Sequence, residues 1–395
     1  MEKVTETIIN VGVNDYDIEL FEGQYELEEG MAYNSYVIMD DKIAIMDTVD
    51  ADVTDEWMKN LKKVLGKNEP DYLVVHHMEP DHSGSILDLV NEYPNITIVT
   101  SAKAVDLMKQ FADQEINQEI KIVAEGDTLE LGNHTLNFIA APMIHWPEVI
   151  MSYESSEKVL FSADAFGKFG TRDADEDWTC EARRYYFNIV GKYGMQVQNL
   201  LKKAADLDIQ IICPLHGPVL DKDLDYYIGI YDTWSRYEPE DKGVFICHAS
   251  IHGHTAEAAE RFEELLEAEG EEKVAIADLT DEDIHECVED AFRYDRLVLA
   301  ASSYDAGVFP PMEDFIRRLK HKNYQNRKVY LIENGSWAPS AARTMKAMLD
   351  EMNVEVDEDI ITIKSKMNQE NLDDMIKLAH KIVHGEEDEL IKNRE

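Results

Sequence analysis

His77-Met78-Glu79-Pro80-Asp81-His82 follows directly on the apolar run Tyr72–Val75 and places two imidazoles and two carboxylates within six residues. The loop past a strand end can aim alternating side chains into one cleft. A polar loop rich in His and acid by chance would not be repeated elsewhere in the chain. Here three more candidates stand just past apolar runs: His145 after Leu136–Ile144, Asp164 after Val159–Phe161, and His216 after Ile209–Cys213. Any one alone reads as a cap or a core-edge residue, but four such loops in one half of a chain read as a metal site. His77, Glu79, Asp81, His82, His145, Asp164 and His216 are too many for one tetrahedral ion and suit two, with Asp164 able to bridge. An oxygen-rich sphere with imidazole favours iron or manganese, and ligand type alone leaves zinc open.

Around this motif the first half of the chain alternates short apolar runs with loops. Ser35–Ile38 and Lys42–Met46, with Met39-Asp40-Asp41 between them, predict a hairpin. Helical periodicity spans Ala102–Phe111 and Tyr185–Ala205. Hairpins mixed with helices predict two sheets with helices outside. The polar stretch Tyr237–Lys242, with Pro239, predicts a domain boundary, giving domains over 1–240 and 243–395. Past it, five apolar runs beginning at Gly243, Val274, Arg296, Lys328 and Ile360 alternate with helical segments. That is the pattern of a doubly wound parallel sheet.

Three loops of this second half share one expected location. Ser250-Ile251-His252-Gly253-His254-Thr255 joins a strand to a helix, where hydroxyls, glycine and backbone N–H groups make a phosphate cradle. Ser302-Ser303-Tyr304-Asp305-Ala306-Gly307 follows the third run and Asn334-Gly335-Ser336-Trp337-Ala338 the fourth. Ligands of such sheets bind past the C-terminal strand ends, where all three loops fall, and Tyr304 and Trp337 could flank a flavin ring. No G-x-G-x-x-G follows a strand, so a bound dinucleotide is not expected.

The pattern HxExDH, followed by His145, Asp164 and His216, resembles the metallo-β-lactamase fold as flavodiiron proteins use it; most hydrolases of that fold have His where Glu79 stands here. The Ser250–Thr255 loop is similar to the flavodoxin phosphate loop [ST]-x-[ST]-G-x-[ST], with His252 departing at the third place. Together they resemble the flavodiiron family over essentially the whole chain. The fold this implies is α/β: an αββα metallo-β-lactamase-like sandwich followed by a flavodoxin-like doubly wound parallel sheet. The resemblance implies two iron ions and FMN, with His77, Glu79 and His145 on one iron, Asp81, His82 and His216 on the other, and Asp164 bridging. It implies reduction of O2 to water, NO to N2O, or both, with O2 favoured. Electrons would come from an external donor, either rubredoxin, reduced deazaflavin F420 or a reductase. It also implies a head-to-tail homodimer or a dimer of dimers. Relatives often have a further histidine shortly after the bridging Asp; Ala165–Phe169 contains none. Tyr185 or Tyr186 is expected to line the pocket instead, Tyr186 being the candidate catalytic proton donor. Two rivals are a hydrolase of the same fold with an appended flavodoxin, and a non-catalytic flavin electron carrier.

Composition narrows the partners. Acidic residues outnumber basic ones 81 to 38, a formal charge of -43, which repels nucleic acid and anionic membranes. The 44% hydrophobic share is enough to build cores. Cys180, Cys213, Cys247 and Cys287 are scattered and none pairs as CxxC, so neither a disulfide framework nor a fused rubredoxin module is expected. With no apolar leader or membrane-length run, a cytoplasmic location is expected.

Overall fold

The computed structural model describes residues 1–175 and 177–385. The chain divides into two units, Met1–Asp232 and Thr233–Glu395. The division falls within the helix Leu224–Ser235, before the stretch 237–242. The physical reason is aromatic. Trp234 Nε1 donates to Glu240, the Tyr237 ring lies 6.5 Å from Phe292, and the Tyr237 carbonyl accepts from the buried Arg327.

In the first unit a seven-stranded sheet runs in the order Glu2–Lys3, Ile8–Asn10, Tyr36–Ile38, Ala44–Met46, Tyr72–Val74, Thr97–Thr100, Ile120–Ile122. The expected hairpin is present, pairing Tyr36 with Met46 antiparallel. From Ala44–Met46 onward the strands run parallel. A second sheet orders Thr128–Glu130, Thr135–Ala140, Ile150–Glu154, Val159–Phe161 and Ile211–Cys213. The two sheets share one core, in which Tyr36, Met46, Val74 and Val99 meet Leu136, Phe138, Ile150 and Phe161. Helices lie outside. Thr54–Leu65 buries Trp57, Leu61 and Leu65, the four-residue spacing of one helical face. The helix Ala102–Phe111 forms as its periodicity predicts, capped by Ser101. The segment expected as one helix over Tyr185–Ala205 starts earlier, at Trp178, where Asp177 caps it, and breaks. A wide turn Tyr186–Val190 and a tight turn Gly191–Tyr193 separate it from Gly194–Ala204. Gly191 and Gly194 supply the weak helix propensity at the break.

The second unit orders five parallel strands Val274–Asp278, Asp241–Ala249, Tyr294–Tyr304, Gln325–Asn334 and Asn353–Val356. The expected last strand, Ile361–Ile363, pairs beside the same neighbour as Asn353–Val356, which the sequence reading did not pick out. The helices His254–Glu269 and Gln369–His384 cover one face through Ala258, Phe262, Leu266, Met375 and Leu378. This order is that of flavodoxin-like sheets. The two units are therefore an αββα sandwich and a doubly wound parallel sheet, as expected. Among the described residues no helix is long and apolar enough to cross a membrane.

Candidate functional site

Four of the loops past strand ends in the first unit converge. Tyr72–Val74 leads to His77 and to the short helix Pro80–Ser83 with Asp81 and His82, while Val159–Phe161 leads to Asp164 and Ile211–Cys213 to His216. His145 comes from the loop between Thr135–Ala140 and Ile150–Glu154. The seven candidates fall into two sets: His77, Glu79, His145 and Asp164, and separately Asp81, His82 and His216.

In the first set Glu79 Oε2 lies 3.2 Å from His77 Nε2 and 2.9 Å from His145 Nε2. In the second, Asp81 Oδ2 lies 3.2 Å from both His82 Nε2 and His216 Nε2. Asp164 faces both. Its Oδ2 is 3.4 and 3.3 Å from His77 and His145, and its Oδ1 is 3.0 and 4.0 Å from His82 and His216. One carboxylate thus offers one oxygen to each set.

The far sides of the rings are anchored. His77 Nδ1 donates to Glu148 Oε1 at 2.8 Å, and the same oxygen accepts from Met78 N. His216 Nδ1 donates to the Ala32 carbonyl at 2.8 Å. Behind the cluster the buried His76 donates from Nδ1 to Asp47 at 2.5 Å and accepts at Nε2 from Ser152 at 2.8 Å, which fixes the strand end that carries His77. Aromatic rings pack against the histidines. Phe21, Tyr33 and Tyr185 stand 5.6, 6.0 and 5.5 Å from the His216 ring, and Trp146 stands 5.3 Å from His77. Glu148, Ala32, Phe21 and Tyr33 were not foreseen: no motif marks a residue that acts on a ligand's far side. Tyr186 turns onto Tyr231, with rings 5.1 Å apart, and Tyr185 rather than Tyr186 meets His216.

With no cation present, burial alone would lower the His77 and His145 imidazoles. The carboxylates overrule it: Asp164, Glu148 and Glu79 hold His77 well above its usual range, and Asp164 and Glu79 push His145 to about 9. Burial would raise Glu79 and Asp164, yet the same imidazoles hold both below the usual carboxylate range. Burial, then Asp81 for Tyr33 and Asp164 for Tyr185, pushes both phenols up, so each keeps its proton.

The second unit has a cavity of about 900 Å³ past the C-terminal ends of three adjacent strands. Ser250, His252, His254, Thr255, Ser302, Ser303, Tyr304, Asp305, Ala306, Asn334, Gly335, Ser336 and Trp337 all line it. Gly253 and Gly307 do not, and shape it from behind. Gly253, at φ 85°, turns the chain into the helix His254–Glu269, and the Gly307 carbonyl accepts from Ser340 Oγ. The loops are tied together: Thr255 and Ser302 hydroxyls share a 2.9 Å hydrogen bond, Ser303 Oγ accepts from Ser340 N, and Asn334 exchanges two hydrogen bonds with Ser365. A Cβ on Gly335 would stand 2.7 Å from Pro339 Cα, so only glycine fits there. Arg343 and Ser365 also line the cavity and were missed; Arg343, the sole Arg or Lys among the described lining residues, sits in the first turn of a helix outside any loop motif.

The sequence pattern described as "ODP family beta lactamase" matches residues 31–217, and that described as "Flavodoxin domain" matches 245–376. The anaerobic nitric oxide reductase flavorubredoxin of Escherichia coli is 25% identical over 95% of this chain and 79% of its own. The flavodiiron protein of Giardia intestinalis superposes with a TM-score of 0.91 at 24% identity, covering 96% of this chain and 95% of its own. The rubredoxin oxygen:oxidoreductase of Desulfovibrio gigas gives 0.88 at 23% identity, covering 96% and 97%. This chain belongs to the flavodiiron family.

The cofactors of a flavodiiron protein are a pair of irons and FMN, and the residues present fit both. Both oxygens of Asp81 and Asp164, and Nε2 of His82 and His216, are buried without a hydrogen-bond partner. Buried carboxylates and imidazoles left so would be costly unless a cation met them. Ser250 Oγ is likewise buried without a partner at the mouth of the flavin loop, where a phosphate accepts hydrogen bonds.

Proposed function

We propose that this flavodiiron protein reduces O2 to water and NO to N2O, with O2 favoured, at irons held by His77, Glu79, His145, Asp81, His82 and His216 and bridged by Asp164. The observation that carries this reading is the split of Asp164, one oxygen toward each histidine–carboxylate set. When bound, the irons and FMN would supply the redox chemistry, which needs both single-electron and two-electron steps. The polypeptide supplies the rest. Glu148 and the Ala32 carbonyl fix the tautomers of His77 and His216, so that Nε2 points inward. Phe21, Tyr33, Tyr185 and Trp146 exclude water around the imidazoles. Both reductions consume protons, and Tyr185, protonated and beside His216, is better placed than Tyr186 to present an O–H donor to the pocket.

In the second unit, Ser250, Thr255 and the first helical turn hold the FMN phosphate, with Arg343 offsetting its charge in a strongly acidic chain. Tyr304 and Trp337 flank the ring. Trp337 is 92% exposed, as suits a residue covered by a second copy in a head-to-tail homodimer. The external donor is rubredoxin, reduced deazaflavin F420 or a reductase, and the enzyme works in the cytoplasm. The D. gigas relative is named for rubredoxin and oxygen, and the E. coli relative for nitric oxide. The test is gas uptake by the reduced, iron-loaded protein at an O2 and an NO electrode. Faster O2 uptake is expected. Uptake of neither gas would overturn the proposal, and faster NO uptake would reverse its order.

A further inference from the structure

Glu269, His380 and His384 form a third cluster of metal-ligand type, in the second unit and apart from the flavin cavity. Its position follows from two helices. His254–Glu269 ends at Glu269, where Gly270 takes the left-handed conformation at φ 103°, and Gln369–His384 ends at His384. The helices share one apolar seam through Phe262, Leu265, Leu266, Leu378, Ala379 and Ile382. At the end of that seam the side chains change from aliphatic to ligating. His380 and His384 stand four apart, so both rings lie on one face of the helix, with centroids 4.5 Å apart.

His380 Nδ1 lies 2.7 Å and His384 Nε2 3.1 Å from the same oxygen, Glu269 Oε2. Atoms bound to a tetrahedral ion at about 2.0–2.1 Å stand about 3.3 Å apart. The two histidine–carboxylate spacings fall about 0.6 and 0.2 Å short of this, and all three ligand atoms lie within 4.8 Å of one another. The histidine–carboxylate spacings of the iron site, 2.9 and 3.2 Å around Glu79, are of the same kind. The cluster is half-buried, and His380 Nε2 is buried with no hydrogen-bond partner, so Nδ1 is the ring atom that meets other groups.

We propose that Glu269, His380 and His384 bind a divalent cation of the zinc type, which clamps the helix Gln369–His384 to the helix His254–Glu269. Two imidazoles and one carboxylate suit zinc, and nickel and copper share that chemistry. The fourth position goes to water or an anion. The clamp is independent of the irons and of turnover, because none of its ligands belongs to either cofactor site.

The test is equilibrium dialysis of the iron- and FMN-loaded protein against zinc, followed by elemental analysis. Uptake of one zinc per chain with the iron content unchanged is expected. His384→Gln, a change at an exposed position that leaves the seam intact, is expected to lose that zinc while retaining FMN and iron. His380→Ala combined with His384→Ala is expected to do the same. Zinc uptake matched by iron loss would overturn the proposal, as would no uptake by the wild type or undiminished uptake by His384→Gln.

Discussion

The two cofactor sites of this chain are built by opposite means. The iron site is made of ionisable side chains, seven of them from four separate loops, and nearly all are buried. The flavin cleft is made largely of small residues and turns, its loops held to one another by Ser303, Ser340, Asn334 and Ser365. The first site holds unmet hydrogen-bonding capacity that a cation relieves. The second holds a shape that hydrogen bonds between its own loops maintain. A lost side chain should therefore be severe in the first unit, and an added methyl group should matter in the second.

The largest expected effect is that of Asp164→Ala. Because this carboxylate faces both sets, its loss should empty both iron positions and lower O2 uptake by more than about 100-fold, beyond the roughly 10–100-fold that changes behind a ligand cost. The flavin absorbance should stay. Iron analysis and the visible spectrum check this, and loss of flavin together with iron would break the contrast between the units.

Next in size is a pH effect confined to metal-free protein. His145 is raised to about 9 by Asp164 and Glu79 after burial is overcome. A raised group contributes stability in full below its unfolded value, near 6.5, and loses it as the pH rises through 9. The metal-free first unit should thus lose on the order of 3 kcal/mol between about pH 6.5 and 9. Iron-loaded protein should show the reverse trend in iron retention, since ligating imidazoles must shed their protons. Denaturant melts across this range, with and without iron, measure the difference.

Glu148→Ala should weaken iron binding about 10–100-fold without removing a ligand, since it frees the far side of His77. Iron retention under a chelator reads this out. The smallest expected effect lies in the second unit. Gly335→Ala drives a methyl group against Pro339 and Ser303, an overpacking of about 1–3 kcal/mol that FMN titration should show as weaker binding with iron unchanged.

The same contrast governs what could be seen in the sequence. The seven ionisable residues were legible because His and acid past a strand end have few other reasons to recur. The flavin loops were legible as loops, but Arg343 was not, because a cation in a helix's first turn looks like ordinary surface. Glu148 and the Ala32 carbonyl were invisible for a different reason: they touch a ligand's far nitrogen across long sequence separations, and backbone carbonyls carry no residue signature. The strands of the first 33 residues are short and irregular, so the hairpin that brings Phe21 to His216 left no periodic trace. The helix expected over Tyr185–Ala205 had the right periodicity, yet the wide turn Tyr186–Val190 interrupts it, and Tyr186 packs on Tyr231.

One chain is expected to hold two irons in its first unit and FMN in its second. Metal and flavin analysis of anaerobically purified protein tests it most directly. Two irons and one FMN per chain are the predicted result; zinc in the Asp164 site with no FMN would contradict the account and return the chain to the hydrolases of its fold.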